Sequence, residues 1–119
     1  MMKNVTLNPG FGTFRLEGDT LKQSIHAALE AGYRHIDTAQ FYFSEAGVGE
    51  AIRDSSVPRS DIFLTTKVWF DKLAPAMLKA SVDDSLQKLG TDYVDLLLIH
   101  WPSPDDEVPM VDYRNLTAA

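Results

Sequence analysis

Hydrophobic residues in this chain form short apolar runs that alternate with stretches of helical spacing. The runs predict strands at Gly10–Phe14, Tyr33–Asp37, Ile62–Lys67 and Tyr93–Ile99, the last of them almost wholly apolar. In the stretches between the runs, apolar residues recur every three or four positions, which is typical of helices that pack on one face. Strands that alternate with helices and include a continuously apolar strand favour parallel βαβ units.

Start and stop signals bound the helical stretches. An Asp-Thr pair that can cap a helix opens the first stretch and a glycine closes it, so a helix is predicted over Asp19–Gly32. The same reasoning predicts a helix from Ser44 that ends before Pro58, and another over Pro75–Gly90. An acidic, Pro-rich loop, Pro102–Pro109, and the start of a fourth helix follow.

The order of the predicted elements favours a barrel over a doubly wound sheet. Four βα units are half of a (β/α)8 barrel, which usually has about 250 residues. A doubly wound fold normally carries G-x-G-x-x-G after its first strand, and neither Gly10-Phe11-Gly12 nor Gly47-Val48-Gly49 continues in that way. The prediction is therefore an α/β fold in which residues 1–119 form the N-terminal half of a TIM barrel, β1 to β4 plus the start of the fourth helix.

Composition narrows the class of protein. With 119 residues, 45% of them hydrophobic, the chain can bury a core. A net charge of -6 argues against nucleic acid or an acidic membrane as a partner. The sequence has no run of eighteen apolar residues, no apolar stretch like that of a secretory signal in MMKNVTLNPG, and no cysteine. We expect a cytoplasmic protein.

Four polar residues follow the apolar runs. They are Asp37 and Tyr42 in HIDTAQFY, Lys67 in LTTKVW and His100 in LLIHWP. In a parallel barrel the carboxyl ends of the strands meet at one rim, and active sites lie there. The spacing therefore predicts that a carboxylate, a phenol, an ammonium and an imidazole meet at that rim.

These four groups could move a proton at a carbonyl. Tyrosine ionises only near about pH 10 in water, and a nearby ammonium favours the ionised form. Lys67 could supply the ammonium, and Asp37 could keep it charged. A neutral His100 could donate a hydrogen bond to a carbonyl oxygen. The set describes a proton donor for a developing alkoxide, and a hydride would have to come from a bound cofactor.

The blocks GYRHIDTAQFY, DIFLTTKVW, SLQKLGTDYVDLLLIHWPSP and GFGTFRL resemble the aldo-keto reductase superfamily, in particular its bacterial 2,5-diketo-D-gluconate and methylglyoxal reductases. The resemblance extends from about Gly10 to Pro109. It implies an oxidoreductase that uses NADPH to reduce aldehydes and ketones. In that family the equivalent of Tyr42 is the general acid, that of Lys67 tunes it, that of Asp37 pairs with the lysine, and that of His100 orients the carbonyl.

The same resemblance implies two further sets of residues. The set that borders the cofactor comprises Gly12, Thr13, Phe14 and Asp37. The set that walls the substrate pocket comprises Trp69, His100 and Trp101. In the family the later strands supply most of the NADPH site, so most of it would lie in the C-terminal half of the barrel. The family usually has asparagine where this chain has Ser44.

A second hypothesis is a structural or interaction protein, a half barrel or truncated product without turnover. Four parallel strands alone expose two edges and an apolar face, which favours self-association. A third hypothesis is a metal-assisted hydrolase that uses Asp37 and His100, against which the lack of clustered ligands counts. The acidic run 105–107 is more typical of a solvated loop, so no metal site is predicted. His26 is expected on the solvent side of its helix and His35 facing a helix, and neither is given a role.

Overall fold

The computed structural model describes residues 9–101, and its elements follow the predicted order. The strands are β1 (Gly10–Gly12), β2 (His35–Asp37), β3 (Phe63–Val68) and β4 (Leu96–Ile99), and the helices are α1 (Gly18–Glu30), α2 (Glu45–Asp54) and α3 (Pro75–Leu89). The strands form one parallel sheet in the order β1-β2-β3-β4. The predicted α/β fold is therefore confirmed. The predicted loop Pro102–Pro109 and the fourth helix lie outside the described residues.

The helix boundaries agree best with the prediction in α3. Pro75 lies in its first turn, where a missing N–H costs nothing, and Gly90 closes it at φ +67°. The predicted Asp-Thr cap of α1 is wrong, because the helix begins at Gly18 and Glu17 is its N-cap residue. Asp19 lies instead in the first helical turn, where its negative charge faces the positive end of the helix dipole.

Three of the strands are shorter than predicted, and β3 is shifted by one residue, from the predicted Ile62–Lys67 to Phe63–Val68. β1 ends at Gly12 because the chain turns sharply after it: the Leu16 N–H donates to the Thr13 carbonyl at 3.0 Å, and Arg15 has φ +65°. β3 runs on through Val68, since its last residues pair with β4. Lys67, predicted as the last residue of this strand, thus lies one position inside it, and its side chain has a fixed direction.

The helix-facing side of the sheet is the core. Ile36 of β2 and Leu64 of β3 pack with apolar residues of α1 and α2, and Val68 packs with Leu73 and Leu78 near the start of α3. A second contact joins α2 to α3 at Gly49, where an added Cβ would lie 2.3 Å from the Leu89 carbonyl oxygen. Glycine is therefore required for the close approach of these helices.

The opposite, inner face of the sheet is exposed at β4 within residues 9–101. Leu96 and Leu98 of β4 are each 39% exposed there, so the expectation that both faces of β4 are covered is wrong for the described part of the chain. His35 also lies on this face, with Nε2 2.9 Å from the Thr65 hydroxyl, because strand alternation gives the helix side to Ile36. The expectation that it faces a helix is wrong.

His26 was also expected in the wrong environment. Its Nε2 lies 2.9 Å from the carbonyl oxygen of Ala51, so the ring lies between α1 and α2 rather than in solvent. The bond satisfies a carbonyl of α2 and has no connection to the rim of the sheet.

Candidate active site

An ion pair at the carboxyl ends of β2 and β3 is the centre of the candidate site. Lys67 Nζ donates to Asp37 Oδ2 at 2.7 Å and to the Thr38 carbonyl at 3.1 Å. It lies 3.4 Å from the Tyr42 hydroxyl oxygen. The lysine side chain is mostly buried. The predicted meeting of these groups at one rim is therefore observed in the geometry.

A 3₁₀ turn that begins three positions after the end of β2, Gln40–Tyr42, carries the tyrosine. Phe43 ends the turn with φ +56°, a left-handed conformation that is rare for a bulky side chain, and its ring is 88% exposed. The turn brings the Tyr42 ring to 5.1 Å from Phe14 and to 5.7 Å from His100, between ring centres. The phenol is thus held among aromatic rings at the rim.

His100 follows β4 directly, and its backbone N–H donates to the Val68 carbonyl at 3.0 Å. Burial is the main cause that lowers the pKa of its imidazole below 6.5, the positive charge of Lys67 lowers it further, and Asp37 opposes the change. Nδ1 is buried and has no hydrogen-bond partner among the described residues. A neutral ring with its proton on Nε2 avoids a buried N–H without an acceptor, so Nε2 is the available donor.

Aromatic side chains surround the imidazole. Trp69 lies edge-on to His100 at 5.3 Å, and Trp101 lies parallel to it at 6.3 Å with its own ring largely exposed. Phe41, which is not among the predicted site residues, stacks on Trp69 at 4.0 Å with 12° between the planes. The sequence signal for Phe41 is the aromatic pattern QFYF around Tyr42, but this pattern does not show which ring turns toward the site.

The residues expected to border a cofactor differ in how exposed they are. Gly12 pairs in register with Asp37, and an added Cβ there would meet no atom within 4 Å, so its backbone is open. Phe14 is exposed beside Tyr42. Thr13 is fully buried, and both its N–H and its hydroxyl donate to the Asp37 carbonyl at 3.0 Å. Thr13 therefore supports the site from inside.

A groove of about 550 Å³ lies next to this cluster, between the 3₁₀ turn and α3. Phe41 and Trp69 form its wall toward the cluster, Phe43 and Met77 extend it, and the polar side chains of Gln40 and Glu45 also line it. The four predicted catalytic residues do not line this groove. Within residues 9–101, no three histidine, cysteine or acidic side chains converge as a metal site, and no helix is long and apolar enough to span a membrane.

Comparison with known proteins identifies the family of this chain. Residues 10–118 match the model of the Aldo/keto reductase family. The chain belongs to this family. Methylglyoxal reductase DkgB from Escherichia coli O157:H7 is 56% identical to it over 104 residues, which are 87% of this chain and 39% of the relative. The resemblance stated from the sequence is confirmed.

Solved aldo/keto reductase structures agree with the fold. A crystal structure of a candidate 2,5-diketo-D-gluconic acid reductase B is 54% identical, with a TM-score of 0.84 over 90% of this chain and 37% of that one. A family member complexed with NADPH is 33% identical, with a TM-score of 0.80 over 92% of this chain and 39% of that one. This aldo/keto reductase chain thus spans about two fifths of the relatives' length, as a half barrel does.

Proposed function

We propose that this chain takes part in NADPH-dependent reduction of small aldehydes and ketones, with Tyr42 as the proton donor. The observation that carries the proposal is the 3.4 Å distance between the Tyr42 hydroxyl oxygen and Lys67 Nζ, with Asp37 on the other side of the ammonium. A relative named as a methylglyoxal reductase supports a small, reactive carbonyl as the substrate.

The proton transfer follows from the polar groups at the rim. As the carbonyl oxygen gains negative charge it takes the Tyr42 proton, and the Lys67 ammonium stabilises the phenolate that remains. Asp37 and the Thr38 carbonyl keep the ammonium charged and directed. The lysine thus acts through electrostatics, and the tyrosine transfers the proton.

His100 fixes the carbonyl before the proton moves. Its neutral imidazole has Nε2–H as the available donor, and Trp69 lies edge-on to the ring and Trp101 parallel to it. A hydrogen bond from this donor orients the carbonyl oxygen toward the Tyr42 hydroxyl. Trp69 and Trp101, on two sides of the imidazole, would form the walls against which the substrate lies.

The open backbone at Gly12 and the exposed ring of Phe14 fit a flat nicotinamide at the edge of β1. When bound, NADPH supplies the hydride, which adds to the carbonyl carbon while the carbonyl oxygen takes the proton. Asp37 would border the cofactor through its position opposite Gly12, and Thr13 would support that edge from inside.

A Tyr42→Phe variant tests the proposal. We expect reduction of methylglyoxal, followed as loss of NADPH absorbance, to fall to background, because the ring stays and the proton is lost. NADPH binding, measured by quenching of tryptophan fluorescence, should be unchanged. A Tyr42→Phe chain that still reduces aldehydes would refute the assignment of the acid, and a parent chain without turnover at micromolar concentration would refute the activity.

The alternative is a half barrel without turnover that pairs with a second copy of itself. Leu96 and Leu98 are exposed on the inner face, and β1 and β4 have no further strand beside them within residues 9–101. Both features favour it, since two parallel sheets could join edge to edge over these leucines. A discrete dimer mass together with NADPH-insensitive melting would support this alternative. A monomer that NADPH stabilises would exclude it.

A further inference from the structure

The side chain of Gln40 joins the tyrosine-bearing turn to two other elements. Its Oε1 accepts a hydrogen bond from the backbone N–H of Trp69 at 3.1 Å, just beyond the end of β3. Its Nε2 donates to the Ser85 hydroxyl at 3.1 Å and to the Ser81 carbonyl at 3.3 Å, both on α3. One amide at the start of the turn is therefore bonded to the strand that carries Lys67 and to the helix behind it.

Glu45, the first residue of α2, makes a second bridge. Its Oε2 accepts from the Thr66 hydroxyl at 2.7 Å, and its Oε1 accepts from the Ser85 hydroxyl at 3.1 Å. Glu45 is only 3% exposed. Ser85 is shared, since it accepts from Gln40 and donates to Glu45. The two bridges thus form one continuous network.

The bridges lie on either side of the contact between Tyr42 and Lys67. Gln40 and Glu45 flank the tyrosine in sequence, and their partners Trp69 and Thr66 flank the lysine. Neither bridge touches the phenol or the ammonium. They instead fix the two backbone segments whose relative placement sets the 3.4 Å distance between the hydroxyl oxygen and Nζ.

We infer that Gln40 and Glu45 are positioning residues, whose hydrogen bonds hold Tyr42 at the correct distance from Lys67. A buried carboxylate is costly, and an apolar side chain of similar size would fill the same space at less cost. The directional bonds of Glu45 are the gain that offsets that cost. The consequence for turnover rests on the proposed function, whereas the consequence for the Tyr42–Lys67 contact does not.

Nuclear magnetic resonance of the whole chain, labelled with ¹³C at tyrosine Cζ, tests the inference without turnover. The Tyr42 signal is the one that disappears in Tyr42→Phe, and Lys67→Met shows how far it moves when the ammonium is removed. We expect Gln40→Leu and Glu45→Leu each to move the signal in the same direction as Lys67→Met. In Glu45→Gln the amide oxygen can still accept from Thr66, and the amide N–H can donate to the Ser85 hydroxyl oxygen in place of the present bond from Ser85. The signal should therefore move much less than in Glu45→Leu.

At the opposite end of the sheet, Asp95 accepts hydrogen bonds from Arg59 Nη1 at 3.1 Å and from the Leu64 N–H at 2.8 Å. Asp95→Asn is the matched control, because it weakens the fold there and should leave the Tyr42 signal unmoved. An unmoved signal in folded Gln40→Leu and Glu45→Leu would overturn the inference, as would an equal shift in Asp95→Asn. If Glu45→Leu does not fold, Gln40→Leu decides, since Glu45 and its bonds remain.

Turnover provides a second readout. We expect kcat to fall by about 10- to 100-fold in Gln40→Leu, with a smaller change in KM, because misplacement of a reacting group by about 1 Å costs this much. Glu45→Gln should retain most of the parent kcat. A kcat equal to that of the parent in Gln40→Leu would overturn the inference. A parent chain that reduces no carbonyl would instead refute the proposed function, and the Tyr42 signal would still decide the positioning role.

Discussion

Two ion pairs join neighbouring strands of the same sheet at opposite ends. At the amino end, Arg59 Nη1 donates to Asp95 Oδ2 at 3.1 Å and to the Ile62 carbonyl at 2.7 Å. Nη2 donates to the Tyr93 carbonyl at 2.8 Å, and the guanidinium lies 4.1 Å from the centre of the Tyr93 ring. At the carboxyl end, Lys67 pairs with Asp37 and also approaches the phenol of Tyr42 at 3.4 Å.

The two pairs differ in the groups that surround the cation. The planar guanidinium of Arg59 is bonded at several fixed angles, and Asp95 also accepts from the Leu64 N–H at 2.8 Å, so this pair locks β3 to β4. The ammonium of Lys67 is a point charge whose third neighbour is an ionisable group. In barrels, function belongs to the carboxyl ends of the strands and stability to the amino ends, and on the proposed function these two pairs follow that division.

Replacement of Lys67 should give the largest effect on activity. On the proposed function, Lys67→Met should lower kcat by about 1,000-fold, because the proton donor loses the charge that stabilises its phenolate. Lys67→Arg should restore the ion pair with Asp37 and leave kcat low, since a planar guanidinium cannot approach the phenol in the same way. Steady-state reduction of methylglyoxal measures both, and an Arg variant as active as the parent would remove the distinction between the two ends.

Replacement of Asp95 should give the largest effect on stability. Asp95→Ala leaves the mostly buried Arg59 without its counterion and the Leu64 N–H without its acceptor, so the free energy of unfolding should fall by about 3 kcal/mol. Asp84→Ala is the control, because its partner Lys88 is exposed on the same helix and the change should be below about 0.5 kcal/mol. Urea unfolding measures both, and equal losses would contradict a structural role for the amino-end pair.

The two ends also differ in how far the sequence predicts them. Asp37, Lys67 and His100 could be predicted as neighbours because each follows an apolar run, and parallel strands bring their carboxyl ends to one edge. The positions of Gln40 and Glu45 could not. Their partners lie 21 to 45 positions away, and a polar pair at a turn normally indicates a solvated surface.

Two further features, the left-handed Phe43 and the exposed face of β4, could not be predicted from the sequence. Phe43 gives no signal for a left-handed turn, because that conformation favours glycine and asparagine. The apolar run of β4 correctly predicts a strand. It wrongly predicts that both faces of the strand are covered, because an apolar sequence does not show which element packs on it. Pattern thus predicts elements and their order, whereas the contacts that refine the site depend on residues far apart in sequence.

A pH series should affect the carboxyl half of the sheet through Glu45. Burial raises the pKa of Glu45 above its ordinary 4.5, against hydrogen bonds from Thr66 and Ser85 and the positive charge of Lys88, while Asp84 raises it further. The folded chain therefore binds the proton more tightly than the unfolded chain does. This contribution to stability is complete below pH 4.5 and is lost as pH rises through the raised pKa. In Glu45→Gln the decline should flatten in urea midpoints, and an unchanged slope would contradict it.

His100 should give the smallest effect, of opposite sign. Its pKa is lowered below 6.5, chiefly by burial, so the unfolded chain binds the proton more tightly. Stability should therefore rise as pH increases through the window just below 6.5 and be complete above it. His100→Gln should remove this rise, whereas Arg59→Met at the other end should lower stability equally on both sides of the window, because a guanidinium does not titrate there. Urea midpoints on either side of the window compare the two variants, and a rise that persists in His100→Gln would assign it to another group.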